Sequence, residues 1–253
     1  MSEVLVIGGT DSSGGAGVAR DLRTLAHFGV RALCAVTAVT AQSDRAVSAV
    51  HVVPPEMVRA QIAAALATCA VHAVKVGMLA TAANVAAVAH SLPARGRVPL
   101  VLDPVLAASS GGPLLDAAGQ RALRELLLAR ATILTPNIPE AAALLELQPA
   151  QDEAELLSQG QALLALGAEA VLLKGGHGTG PEAIDLLLRP GEAPQRLSAP
   201  RLQSTRRGTG CALASAIAAA LAVGLNVGEA CTRAKQHVTQ LLQQRRAPGS
   251  EIT

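Results

Sequence analysis

What most limits the fold of this 253-residue chain is a recurring order: a short aliphatic run, a turn marked by glycine or proline, then a helical stretch. It opens with a strand from Val4 to Gly8, the loop Gly9-Thr10-Asp11-Ser12-Ser13-Gly14-Gly15-Ala16-Gly17, and a helix from about Val18 to Phe28. The β-rich run Ala32 to Val39 and the alternating run Val47 to Val53 predict two more strands, and Pro54-Pro55 opens a helix through about Thr68. Strand then helix recurs at Ala73 to Val76 with Ala82 to Ser91, at Pro99 to Asp103 with Asp116 to Ala129, and at Thr132 to Leu134 with Pro139 to Leu145. A helix around Glu153 to Leu166 precedes the buried strand Ala170 to Lys174, an antiparallel hairpin of Glu182 to Arg189 with Pro194 to Ala199, and two closing helices. Strands that alternate with helices return by crossovers, so the expected fold is α/β: a doubly wound, mostly parallel sheet with helices on both faces and a small antiparallel edge hairpin. No linker or solenoid repeat divides it, which predicts one domain over residues 1–253.

Composition agrees. Half the residues are hydrophobic, enough for a sizeable core, and they are chiefly Ala, Leu and Val, with Phe28 standing alone and no Tyr or Trp. Scattered basic residues at a formal charge of +2 make no stripe for a nucleic-acid backbone, and stacking platforms for bases are missing, so nucleic acid is not an expected partner. Cys34, Cys69, Cys211 and Cys231 form no CxxC pair and no secretory leader is evident, which predicts a reducing, cytoplasmic setting. All but Cys211 read as small core residues. Neither the N-terminal VLVIGG run nor the apolar helix Ala212 to Val223 is long enough to span a bilayer, so no membrane partner is expected.

Several clusters fall at the carboxyl ends of predicted strands, where open α/β sheets bind ligands. Arg207-Gly208-Thr209-Gly210-Cys211 stands directly before the helical run ALASAIAAALAVG. Its glycines allow close backbone approach, and the amides of the first helical turn offer an anion hole suited to a transferring phosphoryl group. The same residues also suit a plain turn with a helix cap. Cys211, at a helix N-terminus, is expected to have a lowered pKa and to accept a proton from a hydroxyl or line the pocket. Asn137-Ile138-Pro139-Glu140 places two oxygen-bearing side chains where they could orient the waters of a Mg²⁺ ion, and equally spells an ordinary capping box. Lys174, followed by Gly175-Gly176-His177, could reach phosphate oxygens or be a solvated lysine; His177 has no assigned role.

The glycine loop beginning at Gly9 has neither the P-loop ending nor the dinucleotide fingerprint, but it could serve a substrate, and Asp21 one turn later faces either the site or solvent. Gln42 can donate and accept toward an aminopyrimidine, while Met78 and Val105 could supply apolar walls; Asp103 ends another strand.

Taken in order, GTDSSGGAG, TAQSD, KVGML, VLDPV, TPNIPEAAAL, LLKGGH and GTGC resemble, from about Val4 to Lys235, the hydroxymethylpyrimidine and phosphomethylpyrimidine kinases of thiamin biosynthesis, members of the ribokinase-like group. The resemblance implies ATP and Mg²⁺, and transfer of the γ-phosphate to a pyrimidine alcohol, then to its monophosphate. It implies Cys211 as the catalytic residue, Gly208 to Gly210 as the anion hole, Lys174, Thr209 and Arg207 toward the nucleotide, and Asn137, Glu140 and Asp103 around the metal and its waters. Gln42, Met78, Val105, Asp21 and Gly9 match positions around the pyrimidine, and a homodimer is implied. Departures from the family's pattern are Ala108-Ser109-Ser110-Gly111-Gly112-Pro113 in place of AKSGDPLL, Arg207 in place of a histidine, and Ala19-Arg20 where Gln-Ala is common. The alternative activities are a pyridoxal-type kinase and a catalytically degenerate pyrimidine or nucleotide sensor.

Overall fold

The computed structural model describes residues 1–108, 111–175, 180–202 and 206–244. Ten strands are described: β1 (Glu3–Gly8), β2 (Arg31–Val36), β3 (Ala38–Gln42), β4 (Val47–Val52), β5 (Ala73–Val76), β6 (Leu100–Leu102), β7 (Ile133–Leu134), β8 (Val171–Leu173), β9 (Glu182–Leu188) and β10 (Gln195–Pro200). Eight make one sheet in the order β10-β9-β8-β7-β6-β5-β1-β2, parallel from β2 through β8 and antiparallel at β9 and β10. The expected mostly parallel sheet with an antiparallel edge hairpin is what forms.

Side-chain alternation along the strands divides the interior into two layers. Leu5, Ile7, Val74, Val76, Leu102 and Leu134 pack with the helices α2 (Pro55–Thr68), α3 (Ala82–Ser91), α4 (Ala117–Leu126), α5 (Ile138–Leu145) and α6 (Glu153–Ala165). Val4, Val6, Ala73, Val101 and Ile133 face α1 (Gly17–His27), α7 (Thr209–Ala222) and α8 (Val227–Gln243). α7 is buried from Ala212 through Ala222, and its alanines let strands and neighbouring helices approach closely. Phe28 packs edge-on against His27 and His237, with the Arg233 guanidinium 5.1 Å above its ring.

Three sequence expectations are corrected. The run Ala32 to Val39 is two strands, because the chain leaves the main sheet at Thr37. The Thr37 hydroxyl donates to the Met78 carbonyl at 2.6 Å, and its amide donates to Gly8 at 3.0 Å. β3 then pairs antiparallel with β4 as a separate hairpin. The helix expected from Asp116 to Ala129 is α4 followed by a 3₁₀ turn at Leu128–Arg130, where the Arg130 guanidinium takes the carbonyls of Ala89, Leu92 and Pro93. Of the cysteines expected in the core, Cys231 is buried, Cys69 is intermediate and Cys34 is exposed on the edge strand β2.

Candidate active site

β1 has β2 on one side and β5 on the other, so the connections out of it run in opposite directions along the sheet and leave a crevice at the strand ends. There lies a cleft of about 910 Å³. Every site residue proposed from the sequence lines it: Gly9, Asp21, Gln42, Met78, Asp103, Val105, Asn137, Glu140, Lys174 and Arg207 through Cys211. Ser109, Ser110, Gly176 and His177 lie outside the described residues.

The floor is formed where two helices begin. Gly208 caps α7 at φ +72°, and neither it nor Ala16, the N-cap of α1, supplies a side-chain cap. A Cβ at Gly208 would collide with the Gly15 carbonyl and stand 2.9 Å from the Ala16 Cα, so only glycine brings the helix starts this close. Among the described residues no side chain caps the first amides of α7, the arrangement a bound anion would use.

The Cys211 thiol is not activated in the free cleft. Burial pushes its pKa up to about 11, and the carboxylates of Asp21 and Asp103 add to the rise against Lys75 and the Gly17 amide. This overturns the expectation of a lowered pKa, because desolvation outweighs the helix N-terminus.

Next to this floor, an isolated parallel bridge sets Asn137 beside Lys174. Lys174 Nζ donates to Asp103 Oδ1 at 2.9 Å and lies 3.6 Å from Glu140 Oε2. A Cβ at Gly210 would lie 3.3 Å from that ammonium, so the lysine abuts the start of α7. Burial opposes charge on Lys174, but Asp103 and Glu140 together hold its pKa above the ordinary lysine value. Burial likewise opposes charge on Asp103, yet Lys174, Lys75 and the Thr135 hydroxyl keep its pKa low. Glu140 is farther from the ammonium, and burial followed by the Asp103 charge raises its pKa despite Lys174 and the Asn137 amide.

The metal expectation has no preformed cage behind it. Among the described residues no group of three or more His, Cys, Asp or Glu could hold a metal ion. Asn137 and Glu140 form a complete capping box, Asn137 Oδ1 accepting from the Glu140 amide and Glu140 Oε2 from the Asn137 amide, each at 2.8 Å. The described side-chain bonds to Asp103 fall on Oδ1. Asp103 Oδ2 and Glu140 Oε1 are acceptors that fit the waters of a hydrated Mg²⁺ rather than direct ligation.

Elsewhere in the cleft, Met78 stands against Gly9, where a Cβ would meet its sulfur at 2.6 Å. The Gln42 side-chain oxygen is 3.2 Å from the Thr40 hydroxyl. Asp21 is spent inside the protein: Oδ2 accepts from Lys75 Nζ at 2.9 Å and Oδ1 from the Ser215 hydroxyl at 2.7 Å, with the carboxylate fully buried. The terminal nitrogens of Arg207 are taken by groups on the glycine loop and the β3–β4 turn, while its buried Nε has no hydrogen-bond partner among the described residues.

A family model described as phosphomethylpyrimidine kinase matches residues 11–253. The chain belongs to the phosphomethylpyrimidine kinase family. A hydroxymethylpyrimidine/phosphomethylpyrimidine kinase of Salmonella typhimurium is 42% identical over 242 residues, covering 95% of this chain and 90% of that protein. A phosphomethylpyrimidine kinase of Clostridium difficile superposes with a TM-score of 0.84 at 32% identity, covering 96% of this chain and 100% of that one. The Staphylococcus aureus pyridoxal kinase in complex with pyridoxal superposes at a TM-score of 0.89 and 27% identity, covering 99% and 91% of the two chains.

Within this family member two site residues escape sequence reading. Lys75 is a single polar residue in an aliphatic strand, and its partner Asp21 is 54 positions away; burial lowers its pKa, but Asp21, Cys211 and Asp103 more than reverse this. Asp11 accepts from the amides of Ser13 and Ala16, each at 2.9 Å, and from the Ser13 hydroxyl at 2.8 Å, which folds the glycine loop around its carboxylate. An Asp two residues before Ser in a glycine-rich stretch was the available signal for the second.

Proposed function

We propose that this kinase transfers the γ-phosphate of ATP to the hydroxymethyl oxygen of 4-amino-5-hydroxymethyl-2-methylpyrimidine, and then a second phosphate to the resulting monophosphate, in thiamin biosynthesis. The observation that carries the reading is the meeting of Cys211, the uncapped start of α7 and the Lys174–Asp103–Glu140 group in one cleft. The acceptor oxygen bonds to the γ-phosphorus as the bond to the β–γ bridging oxygen breaks, releasing ADP. Amides of Thr209, Gly210 and Cys211 meet the charge on the phosphoryl oxygens, and Lys174 neutralises the adjoining phosphates. Bound Mg²⁺ would supply further charge neutralisation, its waters held by Asp103, Glu140 and Asn137.

The loose transition state lets the hydroxyl proton depart late. The Cys211 thiol holds that hydroxyl by hydrogen bonding; the thiolate fraction, which has already given its proton to solvent and which the neighbouring Lys75 ammonium favours, is the form that takes the hydroxyl proton. Gln42 faces the aminopyrimidine edge, and Met78, Val105 and Gly9 wall the ring; Asp21 acts through Lys75. The reading includes one domain acting as a homodimer in the cytoplasm, and light scattering on the purified protein tests the dimer.

ADP release measured with the pyrimidine alcohol, its monophosphate and pyridoxal tests the activity. Turnover is expected with the first two and to require Mg²⁺. Turnover restricted to pyridoxal, or ligand binding with no ADP formed, would replace the reading.

A further inference from the structure

The β3–β4 hairpin stands outside the eight-stranded sheet, yet it carries Gln42 to the cleft. Four residues of β4 are exposed in succession, so packing alone holds it weakly. Polar contacts fasten its site end instead. The Ser12 hydroxyl exchanges bonds with the Gln42 backbone, accepting from its amide and donating to its carbonyl, each at 2.8 Å. Arg207 then joins two segments of chain, the glycine loop and the β3–β4 turn. Its Nη1 donates to the Ser43 carbonyl at 2.6 Å and to the Ser13 hydroxyl at 3.2 Å; the guanidinium lies 3.3 Å from Asp11 and 3.5 Å from Asp44. Only 9% of this side chain is exposed. Two carboxylates already offset its charge, and both terminal nitrogens are turned to the hairpin and loop while Nε is buried without a partner among the described residues, so phosphate binding is not what holds it in place.

We propose that Arg207 is a positioning residue that latches the Ser43–Asp44 turn onto the glycine loop and so sets Gln42 against the acceptor alcohol. The assignment rests on the reading of Gln42 as a partner of that alcohol. It differs from the role in nucleotide contact that the sequence suggested.

Two measurements on Arg207→Ala, Arg207→Lys and Asp44→Ala test it. In steady-state kinetics Arg207→Ala is expected to raise KM for the alcohol about tenfold, with a smaller change in kcat and KM for ATP moving by less than about twofold. Asp44→Ala should show a smaller rise in the same constant, and Arg207→Lys should recover part of the loss. A rise confined to KM for ATP would make Arg207 a nucleotide contact and overturn the latch. Hydrogen exchange on ligand-free protein is the second measurement and needs no turnover. Faster exchange at Gln42 to Arg45 in Arg207→Ala supports the latch, and unchanged exchange there overturns it. Should Arg207→Ala fail to fold, Arg207→Lys and Asp44→Ala decide by the same two criteria. An absence of wild-type turnover with pyrimidine alcohols would strike the proposed activity, leaving exchange to judge the latch.

Discussion

Cys211 sits under opposing influences: two helix starts and Lys75 favour its thiolate, while burial and two carboxylates favour the thiol. The thiol prevails in the free cleft, with a pKa of about 11. Alkylation of Cys211 by iodoacetamide should therefore be slow near neutral pH and accelerate toward alkaline pH, with exposed Cys34 labelled first; peptide mass spectrometry reads both. Fast labelling of Cys211 at neutrality would contradict the shift. Because its folded-state pKa is raised, the stability Cys211 adds is fully present below its ordinary value of 9.0 and is lost as pH climbs through about 11. Cys211→Ala should lower turnover by at least about a hundredfold, with the melting curve nearly unchanged. The Lys75–Asp21 pair predicts a different kind of loss. Lys75→Met or Asp21→Leu leaves a buried charge unpaired and should cost about 3–5 kcal/mol in urea unfolding, most of it recovered in the double variant. GTGC was legible as a site because its amides and glycines are consecutive. Lys75 was not, since a lysine among valines shows its meaning only beside a carboxylate and a serine brought from two distant helices.

At the scale of elements, the two complete capping boxes are a matched experiment. Asn137 and Asn226 cap α5 and α8 with the same pair of reciprocal bonds. Replacing either with Ala should cost about 1 kcal/mol of stability. Only Asn137→Ala should also reduce turnover and raise the Mg²⁺ concentration that turnover requires, because its box includes Glu140 beside Lys174. Equal turnover in both variants would reduce the Asn137 cluster to a helix cap. The succession of strands and helices was readable throughout, since aliphatic runs and turn residues mark each element locally. The break at Thr37 was hidden inside an apolar run, because what bends the chain is a bond to Met78, a residue 41 positions away. The end of α4 was hidden for a similar reason: Arg130 is drawn to carbonyls of α3 and the turn after it.

For the whole molecule, the cleft gathers residues from both halves of the sheet, so a ligand that fills it ties those halves together. Saturation with nucleotide or alcohol at about a hundred times Kd should stabilise the fold by about 2.7 kcal/mol and raise Tm by about 5–10 °C. An unmoved melting curve at saturating nucleotide would speak against the cleft as its site. The apolar side chains lining the cleft are aliphatic and thioether groups, in a chain with neither tyrosine nor tryptophan. In the near ultraviolet the protein is consequently almost transparent. On the proposed activity the pyrimidine would be the principal chromophore of its binary complex, and its passage into the cleft could be watched directly, with no label attached to either partner.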